Sequence, residues 1–167
     1  ADMLAAYYSF SADASSLFDK LNISNDASYT KHLNQYNVIK INVQYFLSSA
    51  RSVDNMLDML QRYLVKELLT QYNEVDYLDS NNLMQIMMDI FNTSNRSFII
   101  LIDEWDCPFR EYPDNTEAQR LYLDFLRLWL KDQPYVGLAY MTGILPIKKY
   151  GTHSALNMFW EYTMTEP

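Results

Sequence analysis

The sequence predicts an α/β domain, a parallel sheet flanked by helices on both sides. Two observations point there. Three runs of apolar and β-branched residues, at 38–43, 97–102 and 135–141, read as strands. The long stretches between them repeat apolar residues every three to four positions, as helices do. Strands joined through helices need crossover connections and pair in parallel. At 167 residues the chain is sized for a single domain, 1–167, with one core.

The elements follow in order. Met3, Leu4, Tyr7 and Tyr8 fall on one helical face at the start. Almost nothing precedes them, and Ala1 stands where an initiating Met is usual, so the chain reads as cut from something longer. Residues 22–28, rich in Asn and Ser, read as a surface loop. The run 38–43 (VIKINV) alternates β-branched with polar residues. From 53 to 72 the positions Val53, Met56, Leu57, Leu60, Leu64, Leu68 and Tyr72 form a helical stripe. A second helix over 83–91 carries Leu83, Met87, Ile90 and Phe91, with Ser80 as its expected N-cap.

The run 97–102 (SFIILI) is nearly all apolar, as a strand covered on both faces would be. A third long helix spans 116–131. Ala118, Leu121, Tyr122, Phe125 and Trp129 make its apolar stripe, and Arg120, Asp124, Arg127 and Lys131 a solvated one. Asp114 with Glu117 resembles a capping box there, and basic residues in the last turn suit the helix dipole. The run 135–141 (YVGLAYM) is the third strand.

Composition sets limits. Hydrophobic residues make up 49% and charged ones 20%, an ordinary globular balance. With 3 glycines and 5 prolines, tight special-geometry turns must be few. Thirteen basic against 21 acidic residues give a net charge of −8, which repels nucleic acid and anionic membrane over most of the surface. Cys107 is the sole cysteine, so no intrachain disulfide forms. The longest apolar run, 98–102, is too short to span a bilayer, and no charged leader precedes an apolar stretch. The chain reads as cytoplasmic.

Chemistry concentrates at SFIILIDEWD. A buried strand ends abruptly in Asp103 and Glu104, with Asp106 close behind, and open α/β sheets bind ligands at the C-terminal ends of their strands. In P-loop NTPases this is the Walker B position: the Asp holds Mg²⁺ and the following Glu polarises the attacking water. The same residues could simply end a strand and cap a turn. The third strand ends in Met141-Thr142-Gly143, which puts a hydroxyl at its tip; Thr142 is either a γ-phosphate sensor or an ordinary turn residue. Cys107 lacks a partner at a telling spacing in His32 or His153 and reads as a bystander. Lys148 and Lys149 could approach phosphate but read as a solvated pair, and Arg110 is a weak arginine-finger candidate.

ILIDEWDCPF and AYMTGILPIKKYGTHSALNMF, with DMLAAYYSF and SLFDKL before them, resemble the predicted AAA-ATPase-like family. Its members usually carry a C-terminal restriction-endonuclease-like nuclease domain. The resemblance implies a three-layer P-loop NTPase-like fold, incomplete at its N-terminus, with residues 98–102 central between the other two strands. It implies ATP and Mg²⁺ as cofactors, Asp103 as metal and cofactor ligand, Glu104 as catalytic base, and Thr142 as a catalytic and cofactor-sensing residue. It also implies an ATPase module that drives or gates an attached effector, such as the nuclease-like domain outside this chain. The matched Ser154-Ala155-Leu156-Asn157 has no evident physical role.

One departure stands out. The family's G-x-x-x-x-G-K-[ST] phosphate loop is missing, and the only glycines are Gly137, Gly143 and Gly151. The 167 residues alone are therefore expected to bind ATP poorly and to be inactive, with an open sheet edge along 135–141. A nucleotide-free scaffold for protein–protein contacts is the alternative. A metal nuclease built on Asp103, Glu104 and Asp106 is a third reading, disfavoured by the acidic surface and the lack of a nearby Lys.

Overall fold

The computed structural model describes residues 1–146 and 157–162. Lys148, Lys149, Gly151, His153 and the matched residues 154–156 lie outside the described residues.

Three parallel strands form one sheet in the order β1 (Asn37–Asn42), β2 (Phe98–Asp103), β3 (Val136–Met141). The central position of β2 is as expected. Its side chains are buried on both faces, because helices alone supply the crossovers. β1 begins one residue earlier than predicted. Asn37 is fully buried but satisfied, donating to Arg96 O at 2.8 Å and accepting from Tyr72 Oη at 2.9 Å. Val43, read as strand, instead opens a helix, since the Asn42 side chain caps it by accepting from Tyr45 N at 3.0 Å.

Two short helices, α1 (Asp2–Tyr8) and α2 (Ser15–Phe18), a 3₁₀ turn (Asn22–Asn25) and α3 (Tyr29–His32) precede β1. After it come α4 (Val43–Ala50), α5 (Val53–Gln71), α6 (Leu83–Ser94), α7 (Cys107–Glu111) and α8 (Thr116–Leu130). Ile39, Ile41, Phe98, Ile100 and Ile102 face one core with the apolar stripes of α5, α6 and α8. Lys40, on the opposite face of β1, pairs with Asp2 of α1, which packs against that strand. Trp129 seals the main core, donating from Nε1 to Met87 Sδ at 3.1 Å. Tyr7, Ala14, Phe18 and Tyr29 form a separate, smaller cluster near the N-terminus.

Three local expectations are corrected. The cap of α6 is Asn82, which accepts from Met84 N and Gln85 N, and not Ser80. The cap of α8 is Asn115, which accepts from Ala118 N at 3.0 Å; Glu117 turns outward and pairs with Arg120. Met3 is exposed, not packed. The charged stripe of α8 is solvated as expected, with Arg120 and Arg127 both on Asp124.

β3 is an edge strand among the described residues, with Leu138 and Tyr140 exposed. Its register against β2 slips between Phe98 and Ile99, at Gly137, where a Cβ would stand 3.1 Å from Ser97 Cβ. A glycine marks such a bulge because backbone and neighbour approach closely.

Candidate functional site

The C-terminal tips of β2 and β3 lie side by side. Thr142 N donates to Ile102 O at 2.9 Å and Trp105 N to Thr142 O at 3.1 Å, so the pairing runs on past the last ladder residues. This continuation brings two of the predicted residues together: the Thr142 hydroxyl donates to Asp103 Oδ1. Asp103 is still in register, opposite Asn42 of β1, and its direction is set by the sheet.

Glu104 is held quite differently. Its φ is 54°, a left-handed conformation that costs a side-chain-bearing residue roughly 1–2 kcal/mol. The chain leaves the ladder here, and the carboxylate turns to Arg110, whose Nη2 donates to Glu104 Oε2. Arg110 sits in the short helix α7, which Pro108 at its first turn helps to start. The weak arginine-finger candidate is thus a partner of the predicted base within the same chain.

Asp106 is the residue whose part the sequence did not reveal. It is fully buried, and its Oδ2 accepts from Ile144 N at 3.1 Å and Leu145 N at 2.9 Å. It therefore ties the turn after β2 to the loop after β3. Arg110 Nε lies 3.2 Å from the same oxygen, close enough to pair by charge though without a well-aligned N–H···O bond. Asp106 Oδ1 has no hydrogen-bond partner among the described residues. Gly143 passes so close that a Cβ there would lie 2.6 Å from Asp106 Oδ1 and 2.7 Å from Trp105 Cδ1. Only a glycine fits. Trp105 is buried, and its carbonyl accepts from Tyr122 Oη at 2.8 Å, which anchors the turn to α8.

Cys107 is buried, and burial pushes its thiol up to about 12, so it stays protonated and inert near neutral pH. His32 ends α3, where its Nδ1 is hydrogen-bonded to Tyr36 Oη at 2.6 Å.

Asp103 and Thr142 offer one carboxylate and one hydroxyl, hard oxygen ligands suited to an ion that keeps most of its waters. Asp106 Oδ2 is taken by two backbone donors, and no group of three or more metal-ligating side chains gathers among the described residues. The set fits magnesium and not an all-protein zinc or calcium cage.

A cavity of about 740 Å³ runs along β3 toward Met158 and Phe159 and reaches Trp105 and Gly143. None of the three carboxylates lines it. No helix among the described residues is long and apolar enough to cross a membrane.

The sequence profile of the predicted AAA-ATPase family matches residues 1–152. No curated protein and no solved structure matches the chain. The match takes in all three strands, both tips and the Asp106 clamp between them, and the chain belongs to the predicted AAA-ATPase family.

Proposed function

We propose that the chain is the magnesium-holding and water-activating part of an ATP-hydrolysing module. The observation that carries this reading is the Thr142 hydroxyl on Asp103, at the tips of adjacent parallel strands where open α/β sheets take ligands. Asp103 holds the ion, and Thr142 fixes that carboxylate and senses the terminal phosphate. Glu104 accepts a proton from the water that attacks the γ-phosphorus, while the bond from that phosphorus to the bridging oxygen breaks and the oxygen leaves with ADP. Magnesium, when bound, neutralises charge on the phosphate oxygens. The phosphate cradle itself has no counterpart in these 167 residues, which contain no G-x-x-x-x-G-K-[ST] stretch. Hydrolysis then drives or gates an attached effector, a nuclease-like domain being the kind the family's usual organisation supplies. The scaffold reading rests on one observation, that Glu104 is already engaged by Arg110.

The test uses the natural polypeptide in which these residues occur. Glu104→Gln keeps size and hydrogen bonding but removes the base, so Mg-ATP binding should persist while turnover falls by roughly 10²- to 10⁴-fold. Asp103→Asn should weaken both magnesium-dependent binding and turnover. Near-normal hydrolysis by Glu104→Gln would favour the scaffold.

A further inference from the structure

The loop after β3 is held by little apolar burial. Gly143 has no side chain and Ile144 is 73% exposed; of residues 143–145, Leu145 is the one that packs on the main core. Polar contacts take over. The turn after β2 and this loop are laced together: Ile102 O accepts from Thr142 N, Thr142 O from Trp105 N, and Asp106 Oδ2 from both Ile144 N and Leu145 N. Asp106 itself has little room to move. It is fully buried at the start of α7, where its carbonyl accepts from Phe109 N at 3.0 Å and Arg110 N at 3.3 Å.

Thr142 sits inside this lacing. The ladder fixes its backbone on one side, and Asp106 fixes the chain on the other, across a glycine, the residue with the most backbone freedom. The hydroxyl depends on that support. A threonine side chain has staggered wells to choose from, and one net hydrogen bond biases such a choice by roughly three- to tenfold. Steady contact with Asp103 requires a backbone that cannot turn.

We propose that Asp106 is a positioning residue for this site: by tying the loop 143–145 to the turn after β2, it aims the Thr142 hydroxyl at Asp103. Gly143 makes the tie possible, since a Cβ there would stand 2.6 Å from Asp106 Oδ1. The aim stands on these hydrogen bonds alone, and its consequence for magnesium rests on the ATPase reading. Asp106 then serves the ion at one remove, through the backbone that carries Thr142.

Nuclear magnetic resonance of this chain reads the aim directly. Three-bond couplings from the Thr142 Cγ2 methyl to its own backbone N and carbonyl carbon report its χ1, and they should show a single rotamer. Asp106→Ala should turn that pattern into averaged couplings. Asp106→Asn, which still accepts from both N–H groups though without the charge beside Arg110, should restore most of it. Asp106→Ser, too short to reach both N–H groups, carries the test if the alanine variant does not fold. A single Thr142 rotamer in a folded Asp106→Ala or Asp106→Ser variant overturns the proposal.

In the natural polypeptide, Asp106→Ala should raise the magnesium concentration for half-maximal ATP hydrolysis roughly three- to tenfold, the range of one net hydrogen bond, and Asp106→Asn should recover most of that loss. Thr142→Val removes the hydroxyl outright. Adding Asp106→Ala to it should leave the magnesium dependence unchanged while still lowering Tm, because the two residues act on the ion as one unit. A further loss of magnesium affinity in the double variant overturns the proposal, since Asp106 would then reach the ion by another route. Averaged couplings with no hydrolysis by any form leave the aim of Thr142 standing and remove the ATPase reading instead.

Discussion

Asp103 and Glu104 are neighbours in sequence and opposites in structure. Asp103 is the last ladder residue of β2, opposite Asn42 on one side and bonded to Thr142 on the other. Glu104 has left the ladder, at φ 54°, and takes its position from a turn and from Arg110. The sheet gives the first carboxylate one direction. The turn points the second toward Arg110.

The widest break in that arrangement should come at Asp106, which joins the turn to the loop after β3. Asp106→Ala strands two backbone N–H groups and leaves Arg110 facing Glu104 alone. Such losses cost about 2–4 kcal/mol, and thermal melting should show a clear drop in Tm. Asp106→Asn, which still accepts from Ile144 and Leu145, should recover part of it. Gly143→Ala attacks the same clamp from the other side, with a Cβ inside the contact distance of Asp106 Oδ1, and should cost about 1–3 kcal/mol. An unchanged Tm in both Asp106→Ala and Gly143→Ala would mean the loop is not tied there.

The finest test uses glycine at each carboxylate. At Asp103 an extended strand residue is lost, and stability should fall by up to about 1 kcal/mol. At Glu104 the left-handed backbone suits glycine, so Glu104→Gly should be neutral or stabilising by up to about 1 kcal/mol even though the predicted base is gone. Chemical denaturation of the two variants should therefore show shifts of opposite sign. Equal losses at both positions would mean that the turn stores no strain.

β2 was legible because burial on both faces demands a continuous apolar run, and SFIILI leaves no other reading. α5 was legible for the same reason, in a different period. The caps were harder: Asp79, Ser80, Asn81 and Asn82 are four capping residues in a row, and only backbone geometry selects Asn82. The approach of Asp103 to Thr142 followed from the strand order that the resemblance implied. The Arg110–Glu104 pair did not follow, because six residues across an irregular turn carry no periodicity. The clamp by Asp106 was equally hidden, since its partners are backbone groups about forty positions away whose sequence leaves no mark.

The scarcity of glycine also shaped what could be anticipated. Few special turns were expected, yet Asn34, Arg51, Asn95, Glu104 and Asp132 all adopt positive φ. Asn and Asp tolerate this region. Arg51 and Glu104 do not, and at Glu104 the strained residue is also the predicted base.

The small N-terminal cluster has a consequence of its own. Tyr7, Ala14, Phe18 and Tyr29 bury one another without joining the main core, and Tyr7 Oη spans the cluster to Tyr29 O at 2.9 Å. Asn34 fastens it, donating to Ala6 O and Ser9 O while accepting from Ala14 N. Four side chains and one asparagine cannot match the cohesion of a sheet sealed by three long helices. The two should therefore open as separate cooperative units. Amide exchange should reveal this as early deuterium uptake across residues 1–34 while β2 stays protected, and simultaneous uptake by both would mean the cluster is cooperative with the sheet. The end of the chain that reaches β1 through α1 would then be the first part of the molecule to sample an open state.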